Sequence, residues 1–579
     1  MVRYKRKRKL TKELFAIALN MDLNKKSTLM KRLYIVVLLA IFFSANSLQA
    51  QEDLRKTVQV VKPYDPSVSD AYKISRLPRI NDTVKIIPTF EYTLQSKPMV
   101  VNYELMPIAA AKMVGEPLTK LYGNYLKIGL GTKYHPEIAF YANKKRSKEY
   151  QYGAYINHLS SYAKINLTDD VRQYAGFSNS NVGVFGKRIF NKSVVEGELS
   201  LLRDMNHFYG YDTQIDTTFE DADIRQRFFG TQAGLSWYST HVDSSHLNYQ
   251  ADLNYRYFQD DFSFSESNLQ LKGSVEKYFN AEMAGVDVAF HTNMPSAELD
   301  SSNNNLFSLN PWVGKFGEKW RVKAGVNLMV DSYNGKTKTY VFPTGRMEFD
   351  IVNHIIIPYA GIDGGLEMNN YFTTIRNNPY VVPGTHMRNQ DNKVMLYGGL
   401  KGNFSSTTYY NIKFEHAVID NMAFFVNEYT ATGTTGNQFK VVYDEVERNR
   451  FYGELSVTPS EAFTLQAKGV FTSYTTTTID YPWHKDKLRL SFSGLYDLRD
   501  KILVRSELLV RGQRDVLNAN GEAIELASDL SLNLGLEYRY SKILSGYLQV
   551  NNLLASENYL WQYYRTFGFN VMAGITYAF

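Results

Sequence analysis

Phe567-Gly-Phe-Asn-Val-Met-Ala-Gly-Ile-Thr-Tyr-Ala-Phe579 closes the chain, and its two parities differ. Phe567, Phe569, Val571, Ala573, Ile575, Tyr577 and Phe579 are apolar; Gly568, Asn570, Met572, Gly574, Thr576 and Ala578 are mostly small or polar. Successive side chains of a strand point to opposite faces, so this stretch predicts a strand with one apolar side. Working back from it, the same period recurs. Leu530, Leu532, Leu534, Leu536, Tyr538 and Tyr540 alternate with Ser531, Asn533, Gly535, Glu537 and Arg539. Leu488, Leu490, Phe492 and Tyr496 alternate with Lys487, Arg489, Ser491 and Ser493, and Tyr150, Tyr152, Ala154 and Ile156 with Gln151, Gly153 and Asn157. In a soluble sandwich the apolar face would pack on a second sheet. Here the opposite face carries Lys, Arg and Glu beside many glycines, as a watered lumen with lipid outside requires.

The connections point the same way. Short ones fall at Val457–Ala462, Tyr496–Lys501 and Tyr538–Ile543; long polar ones fall at 293–305, 377–392, 472–486 and 512–523. Short turns on one side and long loops on the other mark a transmembrane barrel. No stretch beyond the leader is long and apolar enough for a spanning helix, and only a closed barrel lets strands satisfy every backbone group in lipid. The fold expected is all-β: a transmembrane antiparallel β-barrel over 121–579, of about 22 strands within a range of roughly 14 to 24.

Composition narrows the function. Residues 1–50 hold 11 of the 65 Lys and Arg and 2 of the 58 Asp and Glu, which leaves 54 against 56. The apparent charge of +7 therefore becomes −2 without the leader, and nucleic acid loses its electrostatic case as a partner. With no cysteine there are no disulfides, thiolate metal sites or lipidated amino terminus. The 43 Tyr and 34 Phe suit rings that meet both lipid and water. Met30-Lys31-Arg32, the apolar run Leu33–Phe43 and Leu48-Gln49-Ala50 read as a secretory signal peptide over 30–50. Residues 1–29 are then an over-extended start or a long charged n-region. Half of the 16 prolines lie between Pro63 and Pro136, so 51–120 is expected to be extended, on the periplasmic side or occluding the lumen.

The final strand, ending on Phe579, resembles the carboxy-terminal insertion signal of bacterial outer-membrane barrels. That implies Phe569, Val571, Ile575, Tyr577 and Phe579 as the set read by the barrel-assembly machinery. Val550-Asn-Asn-Leu-Leu554, Trp561, Tyr564 and the strand after them resemble the ending of TonB-dependent receptor barrels, and Tyr481-Pro-Trp-His484 and Tyr496-Asp497 are similar to such receptors of the Bacteroidetes type. The resemblance implies a receptor barrel in the cell outer membrane. Those receptors carry a plug domain, and some seventy proline-rich residues are too few for one, so the expectation is a plugless variant. Asp82-Thr-Val-Lys-Ile86 only faintly resembles the motif that TonB pulls.

Candidate chemistry is sparse. His241 and His246, with Asp243 between them, fit a polar turn better than a metal site, and 298–305 lacks the acidic spacing of a calcium loop. His158 and Ser160 share a parity, yet no nucleophile motif is present, so no catalytic residue, metal site or cofactor is expected and an enzyme at the rim is the weakest reading. Lys468, Lys487, Arg489, Arg505, Glu507, Arg511, Glu537 and Arg539 share the polar parity of consecutive strands. They either select a solute in the lumen or pair across strands to support the wall. Two functions stay open: a receptor- or porin-like passage for a polar solute, alone or with a surface lipoprotein or periplasmic partner, and a structural subunit of an envelope complex. A pore this wide needs a block, from 51–120 or from a partner.

Overall fold

The computed structural model describes residues 121–579 apart from 145–146, 169–170, 214–218, 242–245, 301 and 430–434. The signal peptide, the segment before it and the proline-rich stretch lie outside the described residues. Twenty-two strands, each antiparallel to its neighbours, form one sheet. The first, Asn124–Gly131, pairs with the second, His135–Asn143, and also with the last, Asn570–Ala578. Ile575 faces Ile128 and Gly574 faces Gly129, so the sheet closes on itself. A closed antiparallel barrel of the expected strand number is therefore what the alternation encodes.

Register separates the two faces. The row Ser493, Glu507, Asn533 and Asn551 runs across consecutive strands on the inner side. The neighbouring parity holds Phe492, Leu465, Leu455 and Phe471, which are exposed at 42–54%. Exposed apolar side chains outside and polar ones inside reverse the pattern of a soluble barrel.

The connections sort by rim. The rim beside Phe579 carries short turns, among them 461–462, 499–501 and 540–543, and its longer links are 144–149, 240–247 and 350–356. The opposite rim carries 162–176, 208–224, 368–389, 429–437, 477–487, 512–528 and 552–569. It also has tight links at 132–134, 261–264 and 334–335, which strict alternation of short and long does not anticipate. The last is Asn334-Gly335 with φ of 51° and 68°, the left-handed pair that closes a two-residue hairpin.

Where the sheet closes, a large residue meets small ones. Tyr547, on Leu544–Asn551, lies level with Gly574 and Gly129, and a Cβ on Gly129 would sit 2.0 Å from its hydroxyl. The Tyr547 hydroxyl donates to Glu137 at 3.0 Å, and Lys127 binds the same carboxylate at 2.5 Å. Glycine there lets the ring lie flat across the closing strands.

Candidate functional site

The largest apolar core among the described residues lies at the long-loop rim. Tyr209, Tyr380 and Tyr564 are its centre, buried to within 8% of full enclosure. They come from the connections after the fifth, thirteenth and twenty-first strands, so eight, eight and six strands separate them round the ring. The Tyr380 and Tyr564 rings stack with centroids 3.6 Å apart, and Tyr209 meets them edge-on at 6.1 and 4.9 Å. Loops from three sides thus meet across the mouth and roof it. The polar ends are satisfied: the Tyr209 hydroxyl donates to the Arg565 carbonyl at 2.9 Å, and that of Tyr564 to the Asn437 carbonyl. Burial pushes the three phenols above the ordinary tyrosine value, so they remain neutral.

The helix Tyr371–Asn377 pins the roof to the wall. Asn370 caps it, its side chain accepting from the Thr373 amide while Thr373 answers to the Asn370 amide. Glu266, 2% exposed, accepts from the Tyr371 and Phe372 amides at 3.0 and 2.8 Å. A carboxylate against free first-turn amides is the favoured arrangement at a helix start. Tyr371 donates to Asp260 at 2.7 Å and Arg376 to Asp204 at 3.1 Å. Arg514, 1% exposed, ties the 512–528 loop to the 552–569 loop, donating to the Tyr559 and Leu560 carbonyls at 2.6 and 2.8 Å and to Asp529 at 2.9 Å.

Beneath the roof the wall is charged. Glu415, 6% exposed, receives Lys413 and Arg448 at 2.9 Å and Arg450 at 3.6 Å. Asp486 is paired with Arg489 and lies 3.9 Å from Arg511 and 3.8 Å from Arg514. Lys413, Arg450, Tyr452, Thr472, His484, Lys485, Asp486 and Arg489 surround a cavity of about 420 Å³. His484 hangs from the 477–487 loop in a left-handed conformation, φ 59°, stacked 5.3 Å from Trp561. A second cavity of about 580 Å³ under the helix is lined by amides, including Asn181, Asn254, Asn268 and Asn370, with Glu198 and Arg256.

The luminal charges singled out in the sequence take partners. Lys468 lies 3.5 Å from Glu454, Lys487 2.8 Å from Asp515, and Arg505 3.6 Å from Glu537. Arg511 is 3.1 Å from Asp529, Arg539 is 3.5 Å from Asp497, and Glu507 accepts from Asn533 at 3.2 Å. His158 bonds to Ser180 at 2.8 Å and Ser160 at 3.1 Å, on the parity opposite luminal Tyr155 and Asn157. His241 and His246 stack at 4.4 Å in a turn of the other rim, and no group of three metal-ligating side chains occurs among the described residues. Asp300, in the loop considered for calcium, instead accepts from Tyr333 at 2.5 Å. Phe569, Ile575, Tyr577 and Phe579 are exposed on the barrel exterior, with Val571 on the same parity. Sequence reasoning missed the roof, Glu415 and Lys485. Tyr481-Pro-Trp-His484, Trp561 and Tyr564 were the visible signals near them.

No protein-family model matches this chain, and no curated protein sequence matches it. Solved structures do share its shape. The FrpB iron transporter from Neisseria meningitidis superposes with a TM-score of 0.62 at 9% identity, covering 80% of this chain and 82% of that one. For the siderophore receptor PirA from Acinetobacter baumannii the TM-score is 0.62 at 10% identity, over 80% and 81% of the chains. The copper transporter OprC gives 0.61 at 11% identity, over 80% and 81%. Identities this low establish the common fold and leave function to the site.

Proposed function

We propose that this chain is an outer-membrane barrel of the receptor type, which holds and passes a polar solute through a lumen gated by its own loops. The exposed apolar exterior supports the compartment, since such a surface needs lipid around it. The shape shared with an iron transporter, a siderophore receptor and a copper transporter supports transport over catalysis. In this reading the long-loop rim faces the cell exterior and Phe579 the periplasm. The long loops of that rim supply the occlusion at the surface.

The observation that carries the reading is the meeting of Tyr209, Tyr380 and Tyr564 above a charged interior. A purely structural barrel has no need for a polar chamber under an apolar lid. The test is conductance of the purified full chain in planar bilayers. The wild type is expected to be closed and Tyr564→Ala to show discrete openings. A wild type that conducts steadily, or a Tyr564→Ala barrel as silent as the parent, would overturn the gate. Stoichiometric recovery of other envelope proteins in mild detergent, together with that silence, would make the chain a subunit of a larger assembly.

A further inference from the structure

We infer that the cavity bounded by Lys413, Arg450, His484, Lys485 and Arg489 is a binding site for a compact polyanion bearing phosphate or carboxylate groups. It deepens the reading of a solute-handling barrel by naming the solute's chemistry. The first support is an excess of positive charge. Lys413, Arg448 and Arg450 share one carboxylate, Glu415. Arg489, Arg511 and Arg514 divide Asp486 and Asp529, and Lys487 takes Asp515. Lys485 has no ion pair among the described residues, its ammonium lying 5.2 Å from the Phe424 ring. In the cavity lining itself four cations, Lys413, Arg450, Lys485 and Arg489, face one carboxylate, Asp486. Wall support alone calls for paired charges, whereas this lining leaves positive charge for an anion to neutralise.

The second support is independent of charge. His484 is 7% exposed and lines the cavity, yet both its ring nitrogens lack a hydrogen-bond partner. The buried Nε of Arg450 is also unpartnered. Buried polar atoms are normally satisfied, so three unpartnered ones on residues that line a single cavity leave hydrogen-bonding capacity beside it. Burial, with Arg514 and Lys485 nearby, pushes the His484 ring down to about 3, so it stays neutral and offers one N–H. Tyr452 and Thr472 add hydroxyls to the lining. By contrast, the amide-lined cavity under the helix has one carboxylate and one guanidinium and offers an anion no surplus.

The test is calorimetric titration of the detergent-purified full chain with pyrophosphate and with citrate, and with maltose as the neutral control. Both anions are expected to bind and maltose to give no heat. Lys485→Gln and Arg450→Gln each weaken anion binding by at least about tenfold, from loss of a charged hydrogen bond. Arg450→Gln leaves Glu415 two cations, so the wall keeps its support. Arg505→Gln, elsewhere in the lumen, leaves binding unchanged. Folding of each variant is checked by migration of the unboiled barrel on a gel, with Arg489→Gln replacing any that fails. A folded wild type that binds neither anion, or binding unaffected by both folded cavity variants, overturns the site. Tyr564→Ala conductance is read separately: an opened roof without anion binding sinks only the pocket, and anion binding without a conductance response sinks only the gate.

Discussion

The ring of Tyr380 lies against that of Tyr564, centroids 3.6 Å apart and planes 18° from parallel, although eight strands separate their loops. Neither loop could hold its tyrosine in water alone, so each is the other's burial. Replacing either by Ala is expected to lower the free energy of loop opening by about 3–5 kcal/mol. The double variant should fall short of the sum by about 0.5–1.5 kcal/mol. Hydrogen exchange at the Phe439 amide, which donates to the Tyr380 carbonyl at 2.9 Å, reads this directly.

Glu266→Gln keeps the shape of the side chain and removes its charge. Two amides, from Tyr371 and Phe372, then lose a carboxylate acceptor. The helix is expected to loosen by about 1.5–3 kcal/mol, seen as faster protease cutting within 368–389. Thermal unfolding of the barrel wall should hardly change.

Lys485 is held below the ordinary lysine value, at about 8, by burial and then by Arg448, with Asp486 opposing. A lowered lysine keeps its charge below that pH and loses it above. Folded protein therefore sheds this proton before the unfolded chain does. Arg448 and Asp486 act on it directly, and Lys413, Arg450, Arg489 and His484 share its cavity. Pyrophosphate affinity should drop several-fold between about pH 7 and 9, and Lys485→Gln should flatten that slope. A slope that survives in Lys485→Gln would assign it to another group.

A methyl on Gly574 would lie 2.2 Å from the Ile128 carbonyl oxygen and 2.6 Å from the Tyr547 ring. Gly574→Ala is expected to cost about 1–3 kcal/mol through displaced closing strands. Gly273→Ala meets no atom within 4 Å and serves as the control. The temperature at which the unboiled gel form is lost should fall only for the first.

Phe579→Ser with Tyr577→Ser should reduce the amount of barrel recovered from outer-membrane fractions. The same variant, refolded in detergent, should keep near-normal stability, because both side chains are exposed outside the wall. Equal recovery in cells would remove the assembly role from this strand.

Alternation at Leu530–Tyr540 and at the last strand was enough to read the wall, because a two-residue period is local and one face must suit lipid. The roof was not legible for the opposite reason. Tyr209 reaches Arg565 across 356 residues of sequence, and neither residue sits in a repeating pattern. Aromatic wealth in the loops looked like an interfacial girdle, whereas Tyr371 and Tyr564 are completely buried. The luminal charges were visible as a parity, but only the fold shows that Glu415 serves three cations. That ratio, unlike any single residue, separates a wall from a pocket.

The roof's central contacts are made by loop side chains, while the barrel ladder runs strand to strand beneath them. Parting the three rings therefore breaks no rung of the strand ladder. A solute or surface partner would need to favour the open state by only about 5.5 kcal/mol to invert a hundredfold bias toward closure. Its work is set by a few rings, and the cylinder can be as unyielding as the membrane demands.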